Sequence, residues 1–164
     1  YGGNTDWPHH NWYAGKRGTD GLWYFFSWDA EHVLKDNGDN RTGVSNAGTP
    51  GEIYQALRQN PGFLQQFNTR ANELLSPGGA LFVEDGVPVD PANASNRLAT
   101  AAYLARAEEL RSSILLESAR WGDNRRPDEP YTVADWEAEL DRLLTDYFPQ
   151  RTQTVRNQLG LGTP

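Results

Sequence analysis

A chain of 164 residues is the size of one domain and long enough to bury a core. Its formal net charge of −7 argues against a nucleic-acid backbone as a generic partner. It has no cysteine, which excludes disulfides and thiolate metal sites, and no apolar run approaches the roughly 20 residues of a membrane-spanning helix.

The chain begins at Tyr1 and contains no methionine, which reads as a processed product or a piece of something longer. Four of the six tryptophans fall in the first 28 residues. There, Asn11-Trp12-Tyr13-Ala14-Gly15 and Leu22-Trp23-Tyr24-Phe25-Phe26 are aromatic runs with β preference. Gly18, Asp20 and Gly21 supply turn chemistry between them, so residues 1–31 are expected to hold a β-hairpin. Two strands alone are marginal in water, so this hairpin and its tryptophans are expected to pack on the helices.

Residues 32–51 form a long polar loop rich in Gly, Asn and Asp. From 52 to 164 the pattern is helical and reads as a bundle. Thr49-Pro50-Gly51-Glu52 has capping-box spacing, and Pro61 opens a helix carrying Phe63, Phe67, Ala71 and Leu74. Asp90-Pro91 opens a long helix to about Arg120, with Leu98, Ala101, Ala105, Leu110, Ile114 and Leu115 as candidate core positions. Trp121 is expected to anchor its end, with Arg120, Asp123, Arg125 and Arg126 solvated. Thr132-Val133-Ala134-Asp135 caps a helix with Trp136, Leu140, Leu143, Leu144 and Tyr147 on one side; Pro149 punctuates, and a last helix covers about 150–159. The fold class is therefore α+β, mostly helical: a β-hairpin packed on a helical bundle.

Three polar residues frame the hairpin. Asp6 and Asn11 are five positions apart in a Pro-containing loop, and Asp29 follows the second aromatic strand. Magnesium takes oxygen ligands and is held by one or two carboxylates plus phosphates, which suits Asp29 with the Asn11 amide oxygen and leaves Asp6 to accept a hydroxyl proton. Protein kinases divide these roles in the same way over D-x-x-x-x-N, a hairpin and a metal-binding Asp. Arg and His do not precede Asp6, however, and Ala30-Glu31 stands where Phe-Gly would be expected. Turn and capping residues are the plainer reading of all three from spacing alone. Glu31 is a candidate support for Asp29 or its metal waters. His9 and His10 read as exposed loop residues and His32 as structural.

The segments 4–17 (NTDWPHHNWYAGKR) and 23–31 (WYFFSWDAE), followed by 40–43 (NRTG), 117–123 (ESARWGD) and 147–151 (YFPQR), resemble the spore-coat CotH kinase family in that order along nearly the whole chain. The resemblance implies the carboxyl-terminal half of an atypical protein-kinase-like fold that uses ATP and magnesium to phosphorylate protein serines. It implies Asp6 as the catalytic aspartate, Asn11 and Asp29 as the magnesium ligands, and a bacterial extracellular or cell-surface setting. The only lysines, Lys16 and Lys35, both follow Asp6, so the nucleotide-clamping amino-terminal half is expected to be missing and the chain to be inactive alone. Two other readings stand beside it: a non-catalytic kinase-like module binding a surface protein or glycan, and a hydrolase using Asp6 and Asp29 as paired carboxylates.

Overall fold

The computed structural model describes residues 1–96 and 98–164, with the side chains of 94–96 left aside. Among these the chain is α+β, with about half of it helical and a two-stranded antiparallel hairpin. Strand β1 (Trp12–Lys16) pairs with β2 (Trp23–Ser27) in the register Trp12↔Ser27 to Lys16↔Trp23. Asp20 closes the connection by accepting the Leu22 N–H at 2.8 Å, and Gly21 takes φ +70°, a conformation that costs little without a Cβ. The Leu22 N–H and then the Arg17 guanidinium hold the Asp20 carboxyl below its ordinary range.

The expected packing of this hairpin on helices is corrected by the structure. Every residue of β2 is exposed, Trp23 at 62% and Trp28 just beyond it at 56%. The rings instead cover one another across the strands: Tyr13 stacks on its register partner Phe26 at 4.9 Å, and Trp12 meets Phe25 at 6.5 Å.

Helix α1 (Pro50–Leu57) starts where expected but without the expected box. The Thr49 hydroxyl donates to the Asn46 carbonyl, and Glu52 accepts from the Gly48 N–H. Helix α2 spans Pro61–Leu75. A 3₁₀ turn, Pro91–Asn96, precedes α3 (Leu98–Trp121); Arg97, inside the expected single helix, lies outside the described residues. Helix α4 (Val133–Arg142) has the predicted cap, and it is a capping box, Thr132 and Asp135 bonding each other's backbone N–H. Pro149 does not separate α4 from the last helix. A π turn, Leu143–Tyr147, leads directly into α5 (Phe148–Leu159), with the Phe148 N–H reaching the Leu143 carbonyl. A proline in the first turn of a helix removes an N–H that need not be paired there.

The chain divides into two compact units. The first comprises Tyr1–Glu73 with Thr154–Thr163. Tyr54 and Phe67 stack at 5.1 Å in it, and the buried Arg156 guanidinium donates to Asn72 Oδ1 and to the Gly162 carbonyl. The second comprises Leu74–Gln153 with Pro164. Its core gathers Val83, Val89, Leu143, Leu144, Tyr147 and Phe148. The irregular segment at 80–90 is tied by the Val83 N–H to Thr152 Oγ1 and the Val89 N–H to the Leu144 carbonyl.

In α3 the expected core face is wrong at four of its six positions, Ala105 among them, and Ala101 and Ile114 are half-buried. Leu98, Leu110 and Leu115 are exposed, while Thr100 and Ala107 are buried. The inward stripe, Thr100-Tyr103-Ala107 with half-buried Ile114, uses small and polar residues, and Tyr103 meets Phe148 at 5.7 Å. Burial pushes the Tyr103 phenol above its ordinary pKa. Trp121 is likewise no anchor, being half exposed with Arg120 over its ring. Gly122 takes that role: it is buried, its carbonyl accepts from the Tyr131 N–H, and a Cβ there would collide with the Tyr131 carbonyl oxygen.

Candidate functional site

The site is built in the first unit from the chain on either side of the hairpin. Asn4 Oδ1 accepts from the N–H groups of Asp6 and Trp7, and the His10 N–H closes a five-residue turn on the Asp6 carbonyl at 2.9 Å. That turn contains a cis Trp7–Pro8 bond, with Pro8 buried. Beyond the strands, pairing continues from the Trp28 N–H to the Asn11 carbonyl. The Thr5 N–H then meets the His32 carbonyl at 3.1 Å, and the Leu34 N–H meets the Gly2 carbonyl at 2.8 Å. Residues 2–5 thus lie along residues 32–34, which carries Asp6 to the segment just after Asp29.

Asn11 and Asp29 come together directly. Asn11 Nδ2 donates to the Asp29 backbone carbonyl at 3.1 Å, which commits the amide nitrogen and leaves Oδ1 as an oxygen acceptor. Both residues hold left-handed backbone, φ +58° and +48°, a conformation that is costly for most side chains and easier for Asn and Asp. Asp6 comes to Glu31 and His32. Its Oδ2 lies 3.6 Å from His32 Nε2, which is itself 3.4 Å from Glu31 Oε1. The ligand atoms of Asp6, Glu31 and His32 all lie within 4.8 Å of one another. On the other edge of the imidazole, Lys35 Nζ contacts Nδ1. His9 and His10 stand exposed, their rings edge-on at 4.3 Å.

Three contributors were not read from the sequence. Arg41 Nη2 donates to the Thr5 and Trp7 carbonyls at 3.2 and 2.9 Å, straddling Asp6. Gly51, at the start of α1, lets Pro8 approach: a Cβ there would sit 2.7 Å from Pro8 Cγ and 2.8 Å from the Val44 carbonyl oxygen. His32 is the third. The polar loop is held in place as well, by Asx bonds at Asp36 and Asn40 and by Gln55 Nε2 to the Thr42 carbonyl.

The hairpin itself forms a shallow hollow of about 390 Å³ lined by Gly15, Lys16, Arg17, Tyr24 and Phe26. Arg17 lies 5.3 Å above the Tyr24 ring and pairs with Asp20. No helix among the described residues is long and apolar enough to cross a membrane. Compared with known proteins, the chain matches no family model, no curated protein and no solved structure.

Proposed function

We propose that this chain is the carboxyl-terminal lobe of a CotH-like, ATP- and magnesium-dependent serine protein kinase. The observation that carries the reading is the Asn11–Asp29 bond between two left-handed residues, with Asp6 set beside the same segment. One carboxylate and one amide oxygen suit magnesium, which keeps waters and phosphate oxygens in its remaining positions. When bound, the metal would neutralise charge on the transferring phosphate. Asp29 and Asn11 would hold it. Asp6 would orient the serine hydroxyl of the protein substrate and accept its proton as the oxygen attacks the γ-phosphorus and the bond to the β,γ-bridging oxygen breaks, releasing ADP.

Kinases of this kind also need a lysine that clamps the ATP phosphates, so phosphate transfer is tested in a polypeptide that holds both lobes. The test has two arms. Manganese binding to the chain, monitored by water relaxation, is expected to be lost in Asp29→Ala and weakened in Asn11→Ala. In a longer polypeptide that supplies the clamp, Asp6→Ala and Asp29→Ala are each expected to abolish serine phosphorylation; full activity in both would sink the proposal.

The exposed aromatic hairpin favours a second reading, a non-catalytic module that binds a surface protein or glycan, because exposed rings beside cations are suited to stacking. Glycan or protein binding that survives Asp29→Ala and is lost in Tyr24→Ala would select it.

A further inference from the structure

We propose that His32 is a positioning residue for Asp6, locked in one tautomer by Lys35 so that its Nε2–H is presented to the Asp6 and Glu31 carboxylates. This rests on the kinase reading for the role of Asp6, but the arrangement can be tested without it.

The argument starts from proton counting. A lysine ammonium has donors and no acceptor. Its contact with His32 Nδ1 therefore requires that nitrogen to carry a lone pair, which places the proton of a neutral ring on Nε2. Nε2 is the atom that faces Oδ2 of Asp6 at 3.6 Å and Oε1 of Glu31 at 3.4 Å. These separations exceed a hydrogen bond, and a small ring rotation or one bridging water closes them. Donor meets acceptor at both edges of the ring, and the Lys35 charge offsets one of the two carboxylates.

The competing use of the same atoms is a cation held by Asp6, Glu31 and His32. Ligation through Nε2 would move the ring proton to Nδ1 and turn it toward the ammonium, donor against donor. A carboxylate that must accept a hydroxyl proton benefits from a fixed orientation, since a displacement of about 1 Å can cost about 100-fold in rate. The backbone contribution is separate: the Thr5 N–H bonds the His32 carbonyl, which any substitution of the side chain retains.

The experiment is long-range ¹H–¹⁵N correlation of the three imidazoles in the labelled chain. His32 is expected as a single Nε2–H tautomer, with the exposed His9 and His10 as averaging references. In Lys35→Met its shifts should move toward theirs, while slow exchange of the Thr5 amide reports that the backbone is unchanged. An Nδ1–H or averaged His32 in the unsubstituted chain overturns the proposal. So does equimolar zinc that binds at His32 Nε2, which selects the metal centre.

In a polypeptide competent for phosphorylation, His32→Leu is expected to lower kcat about tenfold to a hundredfold with KM for ATP unchanged. His32→Gln, whose amide can donate to the carboxylates, should recover part of it; loss of KM alone, or no loss at all, overturns the positioning role. If no polypeptide phosphorylates serine, the kinase reading fails, and the spectra still decide the tautomer.

Discussion

Arg41→Met removes the guanidinium while keeping much of the side-chain volume. Its Nη2 makes both bonds of interest, to Thr5 at 3.2 Å and Trp7 at 2.9 Å, so the two share one nitrogen and do not add in full. A hydrogen bond from a charged donor contributes roughly 1.5–3 kcal/mol where it is shielded. Arg41 is only half buried, and its buried Nε has no hydrogen-bond partner among the described residues, so the variant also removes an unpaired donor, which brings the expected loss to about 1–2 kcal/mol. That corresponds to a roughly five- to thirtyfold larger population of opened loop. The loss should be local. The His10 and Thr5 amides, bonded to the Asp6 and His32 carbonyls, should exchange with deuterium about tenfold faster. The Arg58 amide, bonded at the end of α1 to the Tyr54 carbonyl, should be nearly unchanged. Equal protection of His10 and Thr5 in the variant and the parent would refute the idea that Arg41 holds the Asp6 turn.

Gly51→Ala places a methyl 2.7 Å from Pro8 Cγ and 2.8 Å from a backbone oxygen, and neither neighbour is a flexible side-chain end. Overpacking of this kind costs about 1–3 kcal/mol, to be read as a lower urea midpoint. Asp29→Gly relieves left-handed strain and is expected to leave stability unchanged or raised by up to about 1 kcal/mol, while manganese binding disappears; a large stability loss would mean the carboxylate is structural. The Thr132 hydroxyl, and then its N–H, hold the Asp135 carboxyl below its ordinary range. A depressed carboxylate contributes stability above its unfolded pKa and loses it as pH falls through the folded value. Acid unfolding should therefore start later in Asp135→Asn when each chain is compared with its own stability at neutral pH.

Local chemistry was legible in the sequence wherever a neighbouring residue settles it. The Gly- and Asp-bearing turn specified the hairpin, and Thr132 with Asp135 specified a helix start. Arg41 was not legible, because its partners are backbone carbonyls 34 and 36 residues away. The face of α3 failed for a different reason. Its leucines lie on several sides, so apolar spacing pointed outward, and the close approach that buries Thr100 and Ala107 depends on small side chains. At Thr49, local competition decided: a hydroxyl can serve a carbonyl behind it as readily as the amide ahead. The approach of Asn11 to Asp29 was legible because a hairpin of matched strands returns its two ends to one place, whereas Asp6 meets Glu31 and His32 instead. His32 had a visible signal in Lys35 three positions on, but the meeting with Asp6 depends on how residues 2–5 and 32–34 lie together.

The two-stranded ribbon also bears on how the protein behaves in concentrated solution. No other strand among the described residues pairs with it, so both long edges present free backbone donors and acceptors between exposed rings. Edges of this kind template strand addition from a second copy. Mutual repulsion opposes such pairing, from a formal net charge of −7 at pH 7. That repulsion vanishes near the pI of about 4.9. Solubility should therefore reach its minimum there, with added salt lowering it further at neutral pH, and a charged residue in place of Trp23 or Phe25 should restore it.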